Sequence, residues 1–155
     1  MERSIFNKAP KSPGVYALYG GNTRKKYVAY VGIANNIRQR FFQHFIRRDS
    51  SIVTGVSAIS LNPEKITEVR WWEFSDEDAR YLREAEVVAF DILDPVLRSR
   101  APISPPVQYI ANSEEFKSKM EQKFSGEPSG IIKILSYQEL ISKVFELEKI
   151  VKRIK

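Results

Sequence analysis

The sequence predicts an α+β fold: a small three-stranded antiparallel sheet flanked by helices, with a helical C-terminal extension. Three observations carry this expectation. Two runs rich in β-branched and aromatic residues, Gly14 to Tyr19 and Tyr27 to Val31, bracket strong turn chemistry. Apolar residues recur at helical spacing in 37–45 and again in 82–92. Prolines at 95, 102, 105 and 106 then interrupt the pattern. Residues 1–100 therefore read as one domain, and 101–155 as a helical extension packed on it or used for dimerisation.

The first run follows Pro13 and reads as a strand, and Gly20-Gly21-Asn22 turns the chain into the second. Together they make a hairpin tipped by Arg24, Lys25 and Lys26. Asn35 or Asn36 offers an N-cap for a helix running to about Arg48, with Ile37, Phe41 and Phe45 as its apolar stripe. Residues 49–65 show no clear pattern. Ile66 to Phe74 has the composition of a third strand, although neither face alternates cleanly.

Ser75-Asp76-Glu77-Asp78 supplies a cap and first-turn acids for a helix with Leu82, Ala85, Val88, Ala89 and Ile92 on one face, stopping at Pro95. Pro102, Pro105 and Pro106 mark a boundary or an extended crossing segment. Asn112-Ser113-Glu114-Glu115 starts another helix, and residues 125–130 break it. The last helix begins with the capping box Ser136-Tyr137-Gln138-Glu139. Its residues Leu140, Val144, Leu147, Val151 and Ile154 form a heptad seam. That seam suits packing on the protein's own core, with dimerisation as the alternative.

With 43% hydrophobic and 28% charged residues, the composition is that of a globular chain and not a disordered one. The absence of cysteine excludes disulfides and thiolate metal sites. No apolar run approaches the roughly 20 residues of a membrane span, and the N-terminus lacks a signal peptide's apolar core, so no membrane partner and a cytoplasmic location are expected. The net charge of +6 is unevenly spread: residues 1–50 hold ten Lys/Arg against two acids, and residues 51–100 six against ten. A basic first third fits a polyanion such as nucleic acid. It is equally what a solvated basic face looks like.

Three groups could carry chemistry. Tyr16 and Tyr30 lie on the paired strands, Arg40 and His44 are four apart on the first helix, and Glu84 and Glu86 flank the apolar face of the second. Each has an ordinary structural explanation in core packing or a solvated flank. Jointly they suffice for phosphodiester hydrolysis. A carboxylate can hold a hard divalent cation, an arginine can neutralise charge growing on phosphorus, and a tyrosine or histidine can deprotonate water.

The joint order resembles the GIY-YIG nuclease superfamily over about residues 12–98. Gly14-Val15-Tyr16 and Tyr30-Val31-Gly32 resemble the two signature tripeptides, each with Val for Ile, separated by a hairpin. Arg40, ten residues after Tyr30, matches the family's catalytic arginine, and His44 a histidine present in many members. Counting back nine from Pro95 gives Glu86 as the family's glutamate, with Glu84 as second choice. Arg98 stands where the family commonly has asparagine after Pro-x-Leu.

The resemblance implies a metal-dependent DNA endonuclease. Glu86 would hold one Mg²⁺ or Mn²⁺, Tyr16 would act as general base assisted by Tyr30 and His44, and Arg40 would stabilise the phosphate. Arg24, Lys25, Lys26, Arg38, Arg47, Arg48 and Arg98 are the expected nucleic-acid contacts, with RNA an alternative to DNA. Because of Arg98, the alternative function is a catalytically weakened nucleic-acid-binding module of the same fold.

Overall fold

The computed structural model describes residues 3–21, 24–47, 65–98, 102–134 and 137–154. The expected hairpin is formed by β1 (Gly14–Gly21) and β2 (Lys26–Ala34), and β3 (Ile66–Glu73) pairs antiparallel on the other side of β1. Among the described residues the sheet has four strands and not the three expected, in the order β2-β1-β3-β4. β4 (Gly130–Lys133) comes from the C-terminal third and pairs antiparallel with β3, setting Gly130 opposite Trp71. A Cβ at Gly130 would lie 2.1 Å from Cζ2 of Trp71, so only glycine lets the strand lie flat on the indole. Four residues are too few to show alternation, which is why the sequence concealed this strand.

The indistinct alternation of β3 also has a physical cause, since both faces of the sheet are covered. One face buries Tyr16, Leu18, Ile66, Val69 and Trp71 against Phe6 of a 3₁₀ turn (Arg3–Lys8) and against Ile37, Phe41 and Phe45. The other buries Val15, Ala17, Val31, Trp72 and Phe74. Across it lie α2 (Leu82–Leu93), α3 (Pro105–Ala111) and α4 (Glu114–Ser125).

The first helix departs from the expected single α-helix. Asn36 is its N-cap, accepting a 3.0 Å hydrogen bond from the Gln39 amide, and α1 runs only from Ile37 to Phe41. The chain then widens into a π-helical stretch, Phe42–Arg47. Arg48 and residues 49–64 lie outside the described residues.

Ser75 caps as expected, its hydroxyl accepting from the Asp78 amide at 3.1 Å, but the first turn is a 3₁₀ turn (Asp78–Tyr81) that leads into α2. Asp94 closes α2 in the left-handed region with φ of 49°, and its N–H donates to the Phe90 carbonyl. Val96 and Leu97 then donate to the carbonyls of Val28 and Ala29 at 2.9 and 3.0 Å, which covers the outer edge of β2.

Pro105 and Pro106 open a helix instead of crossing as an extended segment. Proline fits a first helical turn because its missing N–H needs no partner there, and Ser104 caps the turn. The C-terminal helix is present as α5 (Tyr137–Ile154), while its expected capping residue Ser136 lies outside the described residues. Among its seam residues, Val144, Leu147, Val151 and Ile154 are all about half exposed or more, so they are not buried in either core. Among the described residues, no helix is long and apolar enough to cross a membrane.

Candidate active site

The register of the hairpin builds the first half of the site. Tyr16 pairs with Gly32 and Leu18 with Tyr30, so the two tyrosines are diagonal neighbours on one face, with ring centroids 6.1 Å apart. Gly32 leaves the space that the Tyr16 ring fills. A Cβ there would lie 2.5 Å from the Tyr16 oxygen and 2.9 Å from Cε1 of Tyr30.

The first helix supplies the second half. Phe41 meets the Tyr16 ring edge-on at 5.6 Å, which fixes the ring plane. The π-helical stretch carries His44 underneath, with Nε2 at 2.7 Å from the Tyr16 hydroxyl. A π-turn shifts the side chains after it relative to an α-helix, and such turns recur at functional sites. Tyr16 and His44 are buried, whereas Tyr30 and Arg40 are half-buried.

Burial and neighbouring charge set the protonation of this pair. Burial pushes the Tyr16 hydroxyl well above its ordinary range, and Tyr30 and Glu86 push the same way against the opposing charge of Arg40. His44 is lowered to about 3, first by burial and then by the Arg40 guanidinium. At neutral pH, Tyr16 is an un-ionised phenol and His44 an uncharged imidazole. Charges from α1 and α2 therefore converge on one hydroxyl.

The two glutamates, which helical phase left unseparated and the count back from Pro95 ranked in favour of Glu86, differ in their surroundings. Glu86 is half-buried and is the carboxylate whose charge reaches Tyr16. Glu84, two residues earlier and so on nearly the opposite side of the helix, is buried, and its Oε2 has no hydrogen-bond partner among the described residues. Among the described residues, no three His, Cys, Asp or Glu cluster as a metal cage. A single hard carboxylate such as Glu86 still suits Mg²⁺ or Mn²⁺, because such ions keep several waters and take further oxygens from substrate phosphate.

The basic residues are spread more widely. Arg24 and Lys25 are exposed at the hairpin tip. Lys26 is turned onto the buried carboxylate of Glu68 at 2.8 Å, beside Arg70 at 2.5 Å. Arg38 donates to the carbonyls of Ala9 and Asn7, tying the N-terminal 3₁₀ turn to α1. Arg98 pairs with Asp94 at the end of α2. Arg47 ends the π-helical stretch, and Arg48 lies outside the described residues.

Sequence reasoning overlooked Glu68. Its only signal was a carboxylate two residues before Arg70 in an apolar strand, on the same face. It also overlooked Gly32 as a packing requirement and the π-turn that seats His44.

A family model described as the GIY-YIG catalytic domain matches residues 12–88, a span that includes Tyr16, Tyr30, Arg40, His44, Glu84 and Glu86. Searches of curated proteins and of solved structures return no match.

Proposed function

The chain belongs to the GIY-YIG nuclease superfamily, and from that premise we propose that it is a divalent-metal-dependent endonuclease that hydrolyses phosphodiester bonds in DNA. The observation that carries this reading is the 2.7 Å contact between the Tyr16 hydroxyl and Nε2 of His44, with Arg40 and Glu86 acting on the same hydroxyl.

A bound Mg²⁺ or Mn²⁺, held by Glu86, would supply Lewis-acid stabilisation of charge on the phosphate. The chain's own groups do the rest. An un-ionised phenol is a weak base, so His44 completes the acceptor: as the attacking water gives a proton to the Tyr16 oxygen, the tyrosine's own proton passes to Nε2 of His44. Tyr16 then never becomes the phenolate that burial penalises, and the imidazolium formed on His44, which burial and Arg40 oppose in the free protein, is offset by the negative charge of the incoming phosphate. Attack on phosphorus forms the new P–O bond and breaks the one to the sugar oxygen, which takes a proton from solvent. Tyr30, the half-buried neighbour, orients the water on the open side, and Arg40 offsets negative charge on the phosphorane. Arg24 and Lys25 at the hairpin tip serve the DNA backbone.

The test is cleavage of plasmid DNA by the purified full chain with Mg²⁺ or Mn²⁺. Cleavage should disappear with chelator and in Glu86→Ala. Activity that persists in Glu86→Ala, in Glu84→Ala and with chelator would sink the mechanism. Salt-sensitive DNA binding without nicking under any metal condition would instead identify a binding module.

A further inference from the structure

The apolar seam of α5 has no cover among the described residues. Val144, Leu147, Ile150, Val151 and Ile154 are between 47% and 80% exposed. We propose that α5 pairs with α5 of a second copy of this chain as a parallel two-stranded coiled coil.

The residue pattern selects that occupant. The seam places β-branched Val144 and Val151 at one core position and Leu140 and Leu147 at the other, followed by Ile154. β-Branched residues at the first position with leucine at the second favour two parallel strands. Charge agrees: Lys143 and Glu148 flank the seam five residues apart, the offset at which the edges of two parallel helices face each other. Two-fold symmetry then gives two Lys143–Glu148 pairs between the copies. An antiparallel pair would set each flank against its own kind and lose both. An α5 of 18 residues spans about 27 Å, a short seam, so the association is concentration-dependent. A parallel arrangement sends both N-terminal domains from the same end of the helix pair. That this would bring two cutting sites onto one duplex rests on the nuclease reading, whereas the dimer itself does not.

The experiment is sedimentation equilibrium of the full chain up to a few hundred micromolar, independent of activity. A monomer–dimer equilibrium is expected. Lys143→Glu or Glu148→Lys alone should weaken it about tenfold, and the double swap should restore it. Leu147→Asp should leave a monomer whose thermal unfolding matches that of the parent at dilutions where the parent is itself monomeric, because this exposed position contributes little to the folded domain.

Orientation is read by single cysteines in a chain that has none. Ile154→Cys should form disulfide-linked dimers, and a mixture of Ile154→Cys with Leu140→Cys should give no cross-linked heterodimer. A chain that stays monomeric, a dimer indifferent to the charge swaps or to Leu147→Asp, or a 140–154 cross-link would each overturn the proposal.

Discussion

The hydroxyl of Tyr16 and Nε2 of His44 stand 2.7 Å apart, and neither side chain is open to solvent. One comes from β1, a central strand of the sheet, the other from a π-turn 28 residues later. Two buried polar groups satisfied by each other form a pair whose disruption is costly, because the remaining partner is left desolvated. The same pair is the proton acceptor of the proposed reaction, so stability and activity should respond to it separately.

Tyr16→Phe keeps the ring and its edge-on contact with Phe41 but removes the oxygen. We expect DNA cleavage to fall by about 10²-fold or more, as for loss of a general base. Thermal unfolding should show a loss of about 1–3 kcal/mol from the lost hydrogen bond between Tyr16 and Nε2 of His44. Gel-based cleavage and calorimetry on one preparation read both. Near-wild-type cleavage would remove Tyr16 from the mechanism.

Gly32→Ala tests the space that the Tyr16 ring occupies. With the new Cβ 2.5 Å from the hydroxyl oxygen, the ring must move, and it is held by Phe41, His44 and Tyr30. An overpacking cost of about 1–3 kcal/mol is expected. Cleavage should drop with it at temperatures where the variant remains folded. A variant that matches the parent in both melting and cleavage would show that the ring has room to spare.

Acid should destabilise the protein through His44. Its imidazole takes a proton near 6.5 in the unfolded chain but only at about 3 in the folded one. Between those values the unfolded state holds more protons, so stability falls as the pH drops, by about 1.4 kcal/mol per unit. Glu68 acts lower down. Burial raises its carboxyl, but the hydrogen bonds from Lys26 and Arg70 outweigh this and hold it below its ordinary 4.5, so its contribution is lost only beneath that value. The interval from about 6.5 to 5 therefore isolates the histidine. Chemical denaturation across that interval should give a clearly flatter pH dependence for His44→Gln than for the parent, and equal slopes would contradict a neutral buried imidazole.

The sequence showed the site better than it showed the scaffold. Tyr16, Tyr30, Arg40 and His44 were readable because a hairpin and a capped helix are local structures with strong signals in Gly20-Gly21-Asn22 and Asn36. β4 was not, because its four residues join β3 across about 60 positions of chain and carry no alternation of their own. The π-turn was invisible because the apolar spacing of Ile37, Phe41 and Phe45 reads as an ordinary α-helix and does not mark where the turn widens. Glu84 and Glu86 could not be ranked from helical phase because α2 is covered on more than one side, by the sheet and by α3 and α4. The hairpin-tip cations differ in a way the sequence does not show. Charge counting cannot see that Lys26 faces a buried carboxylate from another strand.

That contact yields the last prediction. Glu68 is 2% exposed and accepts from both Lys26 and Arg70, while Arg70 also lies 4.4 Å over the Tyr19 ring. Lys26 is itself about one-third exposed, so solvent weakens the pair, and with Arg70 still in place Lys26→Met should cost only about 1 kcal/mol. Its effect on DNA binding should be smaller still. A lysine that neutralises a phosphate contributes close to one unit to the slope of log affinity against log salt, and a lysine held on Glu68 contributes far less. Glu68→Gln weakens the hold on Lys26 and Arg70 and should steepen that slope. Fluorescence anisotropy over a salt series measures it directly. If Lys26→Met flattened the slope by a full unit while Glu68→Gln left it unchanged, Lys26 would be a DNA contact first and a partner of Glu68 only in the free protein.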